Sequence, residues 1–445
     1  MAPLNILIVG CGIAGSTLAS FLLLSEGMPA HETPKITILE RAPGMRSQGQ
    51  NIDVRGAGIT IIRKLGLEGA VRASTTGEVG VQWVDDKGAI WASIGADRTG
   101  KLSTPTADIE ILRGRLAELC WLRSKDISES VQAQGGKGID FIFGDCLDHI
   151  QQDNDQVHVR FAKSRREMRY DLVVGADGLQ SQVRRLVWGA SGEEDRVKKL
   201  GAYGAFFSIP RIASDTVHRQ WFHASGRRNI MLRPDQQNKR TTAFMFVVNE
   251  EDTRLQEVAK KGREGLESQK DIMQEYFSDA GWQSDRVLSE MRKTPDFYYD
   301  MIAQVKLDHY NKGRVVLLGD AGYCASPFSG MGTTLAMDGA YNLAGALSRH
   351  PDRPDQAFEE YETEMRPVVT RAQKLFPGMP RIFAPETAWG VWVLNLIVYL
   401  IQLSGLPKIL FKYLGPPANT VPVKDYGFKT LPEWSPEQSE KSTKS

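Results

Sequence analysis

Residues 10–15 read GCGIAG, between the apolar run NILIV at 5–9 and the stretch IAGSTLASFLLLS at 13–25. Glycines at this spacing, between a strand and a helix, build a phosphate-binding turn. Gly10 permits the tight turn, Gly12 lets a pyrophosphate approach the backbone, and Gly15 lets helix and strand pack closely. The phosphates then meet the positive end of the helix. Glu40 closes a second apolar run, KITILE at 35–40, where its carboxylate accepts hydrogen bonds from a ribose diol and repels a 2′-phosphate. The candidate cofactor-binding residues here are Gly10, Gly12, Ala14, Gly15, Glu40 and Arg41. A purely structural glycine turn is the plain alternative; the strand on each side and the position of Glu40 favour a dinucleotide, FAD or NAD.

A second segment, GRVVLLGDAGYCASPFSGMGTT at 313–334, chooses between them. An acid at the end of a buried strand suits the hydroxyls of a ribityl chain. The loop from Pro327 to Thr333 opens a helix, and its N–H groups suit the ring edge where a reduced flavin carries negative charge. Asp320, Pro327, Gly330, Gly332 and Thr333 are the candidates, against the alternative that Asp320 only caps a helix. A nicotinamide dehydrogenase would complete its site differently, with a second domain and a catalytic His, Lys or Tyr.

The elements that must position these motifs fit a chain of 445 residues, long enough for two or three lobes. Hydrophobic residues make up 41%, so a sizeable core is expected, and a net charge of +1 argues against nucleic acid as a partner. The four cysteines are scattered with no CxxC pair, which indicates neither a dithiol centre nor a metal site and suits a reduced, cytoplasmic setting. The N-terminus lacks the basic region of a signal peptide. After the strand–helix–strand opening, the pattern predicts helix over 56–73, a hairpin over 79–94 turning at Asp85–Gly88, helix over 109–124, and strands at 156–161 and 169–175. Alternating strands follow from about 200 to 248, then helix over 255–292, the strand RVVLLGD, and helix from about 331 to 348. The fold class is therefore mixed α/β and α+β: a Rossmann-like domain with an inserted antiparallel sheet and C-terminal helices. Residues 1–78, 104–192 and 296–373 form the discontinuous nucleotide-binding domain, 79–103 and 193–295 the substrate domain, 374–432 a C-terminal helical segment, and 433–445 a disordered tail. The apolar stretch AWGVWVLNLIVYLIQLSG at 388–405 reads as a buried helix with a polar stripe of Asn395, Tyr399 and Gln402; membrane contact through 388–414 is the less favoured reading.

Three motifs in order, GCGIAG, DLVVGADGLQSQVRR at 171–185 and GRVVLLGDAGYCASPFSGMGTTLAMDGA at 313–340, resemble those of single-component flavoprotein aromatic hydroxylases of the p-hydroxybenzoate hydroxylase fold. Within that family the chain is similar to the tetracycline-inactivating monooxygenases and fungal polyketide hydroxylases. RSQGQNIDVRGAG at 46–58 matches theirs, with Arg46 and Asp53 in the corresponding spacing, and IEILRGRL at 109–116 makes Arg113 a flavin contact by resemblance. The resemblance implies that the segment of Asp177 serves FAD and NADPH together, with Arg184 and Arg185 beside it or merely at a solvated helix start. The chain departs from the family at Tyr323-Cys324, where His is common, and in GMGTT; Cys324 reads as a packing residue.

The resemblance implies an FAD-dependent, NAD(P)H-consuming monooxygenase that hydroxylates an aromatic or polyketide-like small molecule with O2 through a flavin C4a-hydroperoxide, in secondary metabolism. Substrate contacts are expected from the inserted sheet: Phe206, Arg219, Met231, Arg233 and Phe244, with Phe328 from the loop beside the ring and Tyr203 as a weak catalytic candidate. Alternation along strands turns about half of such residues away. Epoxidation of an isoprenoid olefin, ketone oxygenation, and a non-catalytic flavin- or prenyl-binding role stay open, as does the choice between NADPH and NADH.

Overall fold

The computed structural model describes residues 3–25, 29–45, 49–96, 106–235, 239–404 and 421–436. Its centre is a six-stranded sheet in the order β17 (Asn311–Lys312), β18 (Val315–Leu317), β11 (Leu172–Gly175), β1 (Asn5–Val9), β2 (Lys35–Glu40) and β7 (Ile139–Phe143). All neighbours are parallel except β17. Ile6, Leu7 and Ile8 are fully buried, which is what a continuous apolar run means when both faces of a parallel strand are covered. Helices α1 (Ile13–Leu22), α4 (Arg113–Ala133), α11 (Gly332–Arg349) and α12 (Pro354–Gln373) pack around this sheet, with α2 (Ala57–Lys64) against α11 and α3 (Glu68–Ala73) against α4. A small sheet of β8 (Leu147–Gln152), β9 (Val157–Phe161) and β10 (Glu167–Tyr170) flanks it.

The second large sheet runs β16 (Tyr298–Val305), β12 (Val197–Pro210), β15 (Arg240–Val248), β14 (Arg228–Pro234), β13 (Arg219–Ala224), β4 (Gly80–Val84) and β5 (Ile90–Gly95). The hairpin of β4 and β5 joins it through a parallel β13–β4 pairing. Helices α7 (Thr253–Lys260), α8 (Leu266–Phe277) and α9 (Ser284–Lys293) cover the face that carries Tyr203 and Phe207. A two-stranded ribbon, β3 (Asn51–Val54) with β6 (Ile109–Leu112), lies between the two sheets, and short helices α5 (Gln182–Trp188), α6 (Glu193–Arg196) and α10 (Asp320–Tyr323) follow the DG and GD motifs.

Several sequence expectations are corrected. The helix expected over 109–124 begins only at Arg113, because Ile109–Leu112 pairs with β3 and its alternating apolar residues are a strand signal. Residues 56–73 are two helices, broken at Gly66, whose φ of +67° suits glycine. The helix at the end, α13 (Ala388–Leu403), is not buried: Trp389 is 73% exposed, Trp392, Leu400 and Leu403 are also exposed, and Asn395 is its one buried residue. Of the polar stripe, Asn395 faces the protein and Tyr399 is exposed, while Gln402 Oε1 accepts the N–H of Ser93 (2.6 Å) on the edge strand β5. The membrane-contact stretch from residue 405 onward lies outside the described residues; among those described, no helix is long and apolar enough to cross a membrane.

Residues 421–435 carry no helix or strand, unlike the helical segment expected to residue 432. They are tied down by main-chain bonds from Leu431 N to Lys64 O and Trp434 N to Gly66 O (both 2.8 Å). Trp434 is buried beneath Arg123, so the packed chain runs past the expected start of a disordered tail at 433. Tyr426 and Phe428 pack on α1 and α11 through Phe21 and Tyr341. A Cβ at Gly345 would run into the Tyr426 ring. Gly345→Ala should therefore destabilise the protein by about 1–3 kcal/mol, seen as a lower melting temperature. In a Tyr426→Ala background the methyl has room and the drop should vanish; an equal drop in both backgrounds would place the strain elsewhere.

Candidate active site

Parallel pairing brings the carboxyl ends of β1, β2, β11 and β18 to one edge, and with them the GCGIAG turn, Glu40, Asp177 and Asp320. The turns interlock. A Cβ at Gly10 (φ +113°) would strike the Ala176 carbonyl oxygen, and one at Gly15 would strike the carbonyl oxygen of Gly10. Gly319 (φ +65°) lies against the Ala14 methyl, with 3.4 Å between Ala14 and an ideal Cβ at Gly319, so Ala14 is a packing contact between motifs. Arg184, fully buried, donates to Leu179 O and Ala321 O (2.7 Å each) and pairs with Glu193, which clamps the DG segment to the GD segment. It is a staple, not the solvated residue that is one reading of the sequence; Arg185 is half-buried beside it.

Glu40 accepts from Cys11 N (3.1 Å) and Ala42 N (2.8 Å), and a carboxylate has lone pairs to spare for a diol. Helices α1 and α11 both start without a side-chain cap, at Gly12 and Met331. An ideal Cβ at Gly12, Gly330 or Gly332 meets nothing within 4 Å, so bare backbone faces open space at these turns. Uncapped helix starts and open glycines suit an extended anionic cofactor, and these residues fit FAD. Asp320 opens α10 at the strand end, and Thr333 lies half-buried in the first turn of α11. Thr334 is turned away, its hydroxyl donating to Arg55 O (3.0 Å). Pro327 starts a short 3-10 turn that ends at Gly330, with φ of +62°.

Other candidates have different duties. Asp177 accepts from Ser181 Oγ (2.6 Å), Gln182 N (2.7 Å) and Val183 N (3.1 Å), so its carboxylate caps α5. Asp53 pairs with Arg55 (2.9 Å) on the ribbon. Arg113 begins α4, its N–H donating to Gln50 O (2.8 Å), and its charge is felt at Cys324 and Asp300; the charge of Arg41 is felt at Tyr298. Arg46 lies outside the described residues. Tyr323 points into the core, bonded to Tyr361 (2.8 Å), and burial pushes the Cys324 thiol well above its usual range, leaving it inert.

On the second sheet, Phe206 stacks on Phe244 (4.1 Å between ring centres), Phe244 on Phe246, and Phe246 meets Phe328 of the glycine loop edge-on (6.1 Å). Met231 and Trp221 pack in the same cluster. This face, looking toward the loop, holds the aromatic candidates. Tyr203 is on the opposite face, stacked with Tyr299 above α7, so the catalytic role considered for it is corrected: strand alternation turns it away from Phe328. Burial also raises its phenol pKa.

Arg219 and Arg233 are already engaged. Glu78 accepts from Arg219 Nε (3.1 Å) and Arg233 Nε (2.8 Å), while Glu110 pairs with Arg233 Nη2 (2.6 Å, without hydrogen-bond alignment). The sequence reading missed both acids; Glu110 stood in a stretch taken for helix. A cavity of about 220 Å3 reaches them from the side of Arg72 and Asp108. Burial drives the Glu78 pKa up, but Arg219 and Arg233 outweigh it and hold it at about 2. Burial raises Glu110 to about 7, opposed by Arg233 and reinforced by Glu78. Its folded value lies above its ordinary 4.5, so folding retains a proton that the unfolded chain has lost. That stabilisation is full below pH 4.5 and is lost as pH rises through about 7. Glu110→Gln cannot titrate and should flatten the decline in stability between pH 4.5 and about 7, in the sense that the variant loses less on raising the pH. Denaturant melts at both ends check this; an unchanged slope would show that Glu110 does not titrate there.

A family profile described as "FAD binding domain" matches residues 4–375. The chain is 38% identical over 417 residues to the FAD-dependent monooxygenase asL6 of Sarocladium schorii, covering 92% of this chain and 95% of that protein. It is 33% identical over 413 residues to the monooxygenase CTB7 of Cercospora beticola, covering 91% and 94%. The crystal structure of tetracycline destructase Tet(51) superposes with a TM-score of 0.70 at 28% identity, over 96% of this chain and 100% of that one. With the two uncapped helix starts and open glycines at one sheet edge, this places the chain in the FAD-binding monooxygenase family of the p-hydroxybenzoate hydroxylase fold, as an FAD-dependent monooxygenase.

Proposed function

We propose that the enzyme uses NADPH and O2 to hydroxylate a neutral, polycyclic aromatic or polyketide-like molecule in secondary metabolism. One observation carries the reading: the sheet face opposite the glycine loop is built of Phe206, Trp221, Met231, Phe244 and Phe246, while its two arginines are both engaged by Glu78, with Glu110 against Arg233. Such a wall suits flat, uncharged rings and offers no unpaired cation to a carboxylate substrate. The destructase whose name gives tetracycline as its target supports the same class, and asL6 and CTB7 support the monooxygenase activity.

Bound FAD would supply the redox and oxygen chemistry. The chain's own part is positioning. The Gly10–Gly15 turn and the start of α1 would hold the pyrophosphate, Glu40 the ribose and Asp320 the ribityl chain. The N–H groups at the start of α11 would favour negative charge on the ring edge. Phe328 and the aromatic wall would hold the substrate and keep water out.

Two variants test this assignment. Glu40→Ala removes an acceptor for the ribose and also releases Cys11 N and Ala42 N, so FAD affinity should fall about tenfold to a hundredfold, measured as flavin retained on dilution. Retention equal to wild type would remove Glu40 from the site. Gly330→Val forces a branched residue to a φ of +62° beside the flavin ring. It should still bind some FAD, yet form less product per NADPH oxidised and release more hydrogen peroxide. A panel of phenolic polyketides screened for substrate-stimulated NADPH oxidation, with mass spectrometry for one added oxygen, tests the function itself; no stimulation and no oxygen gain across the panel would reject it.

A further inference from the structure

Beyond the aromatic wall, the same face of the second sheet ends in polar groups to which the fold assigns no work. His223 and Asn229 sit directly opposite each other on β13 and β14. Two residues from Trp221, His223 shares its face, and the two rings stack at 5.0 Å. His223 is 2% exposed, and neither ring nitrogen has a hydrogen-bond partner among the described residues. Asn229 is 0% exposed; its Oδ1 accepts from Trp221 Nε1 (3.0 Å), while its Nδ2 has no partner. Another such atom, Asn395 Oδ1, belongs to α13, the helix that packs against β5 and β13. Leaving a buried polar group unpaired costs about 1–3 kcal/mol, and the three unpaired atoms of His223 and Asn229 beside one tryptophan are poorly explained by packing.

We propose that His223 and Asn229 form the polar recognition end of the substrate site and bind a neutral hydroxyl or carbonyl carried by the aromatic substrate. The proposal rests on the aromatic-substrate reading above. A neutral imidazole offers one donor and one acceptor, and the Asn229 amide offers donors, so a hydroxyl or a carbonyl is matched. The imidazole stays neutral at working pH, because burial pushes its pKa down to about 3. A carboxylate therefore finds no compensating charge here, and with Arg219 and Arg233 already paired it would be rejected. Trp221 joins the two ends of the site: its indole N–H orients Asn229 and its ring stacks on His223.

The test is binding, not turnover, so its failure is distinct from failure of the hydroxylase reading. Oxidised holoenzyme is titrated by calorimetry with 1-naphthol, naphthalene and 1-naphthoate, without NADPH. Wild type should bind 1-naphthol about tenfold more tightly than naphthalene, and naphthoate more weakly than naphthol. His223→Phe should bring naphthol and naphthalene within about twofold of each other, and Asn229→Leu should narrow the gap as well. The melting temperature of ligand-free His223→Phe holoenzyme should hold or rise, since an unpaired polar group has been replaced by an apolar ring. Equal binding of naphthol and naphthalene by wild type, full discrimination in His223→Phe, or a melting temperature lowered by several degrees would each overturn the assignment.

Discussion

The site depends on main chain meeting main chain where β1 turns into α1. Gly10 lies against the carbonyl of Ala176, and its N–H is bonded to Leu39 O (2.7 Å). No side chain fits between these segments, so the ends of β1, β2 and β11 close to one another and three separate stretches of sequence share an edge. Gly319 against Ala14 and Arg184 on Ala321 O add the fourth. Protein contacts alone thus shape the edge, with both helix starts uncapped. Preorganised N–H groups need no rearrangement to meet an anion, which is why such an edge favours a charged cofactor over water.

The second sheet divides its duties by strand alternation. One face carries Tyr203, Phe207 and Met245 into the core under α7, α8 and α9. The other carries the phenylalanines, Trp221 and Met231 toward Phe328. The two arginines of that second face sit in a buried cluster in which Glu78 and Glu110 answer Arg219 and Arg233. Burying a lone guanidinium would be prohibitive, and the paired acids let two arginines stand beside an aromatic wall without making it a cation site. The cluster also links the ribbon of Asn51 and Glu110 to the substrate sheet, through Thr242 Oγ1 on Asn51 Oδ1 (2.7 Å).

α13 reverses the usual reading of an amphipathic helix. Its buried residue is Asn395 and its exposed ones are tryptophan and leucine. Apolar content alone says that a helix has something to bury, not which side faces the protein. Here the edge strand β5 contributes: the Ser93 N–H needs an acceptor, and Gln402 supplies it, holding the side of α13 that carries Asn395 against the protein.

The sequence by itself determined the cofactor edge, because a phosphate turn, a strand-end carboxylate and a strand-to-glycine loop are local devices whose chemistry is written in consecutive residues. It determined the hairpin at 79–94 and the strands of the inserted sheet for the same reason. It also held the clue against Tyr203, since that residue and Phe206 are an odd number apart, and the clue for His223, two places from Trp221. What only the tertiary structure decided lies between distant segments. Arg184 was drawn into a buried clamp, and Arg219 and Arg233 into pairs with Glu78 and Glu110. Residues 421–436 took their place from packing beside α11. A charged or polar side chain is read from sequence as available; whether it is depends on which partner the fold brings within about 3 Å, and partners as far off in sequence as Ala321 is from Arg184, or Glu78 from Arg219, leave no trace in local spacing.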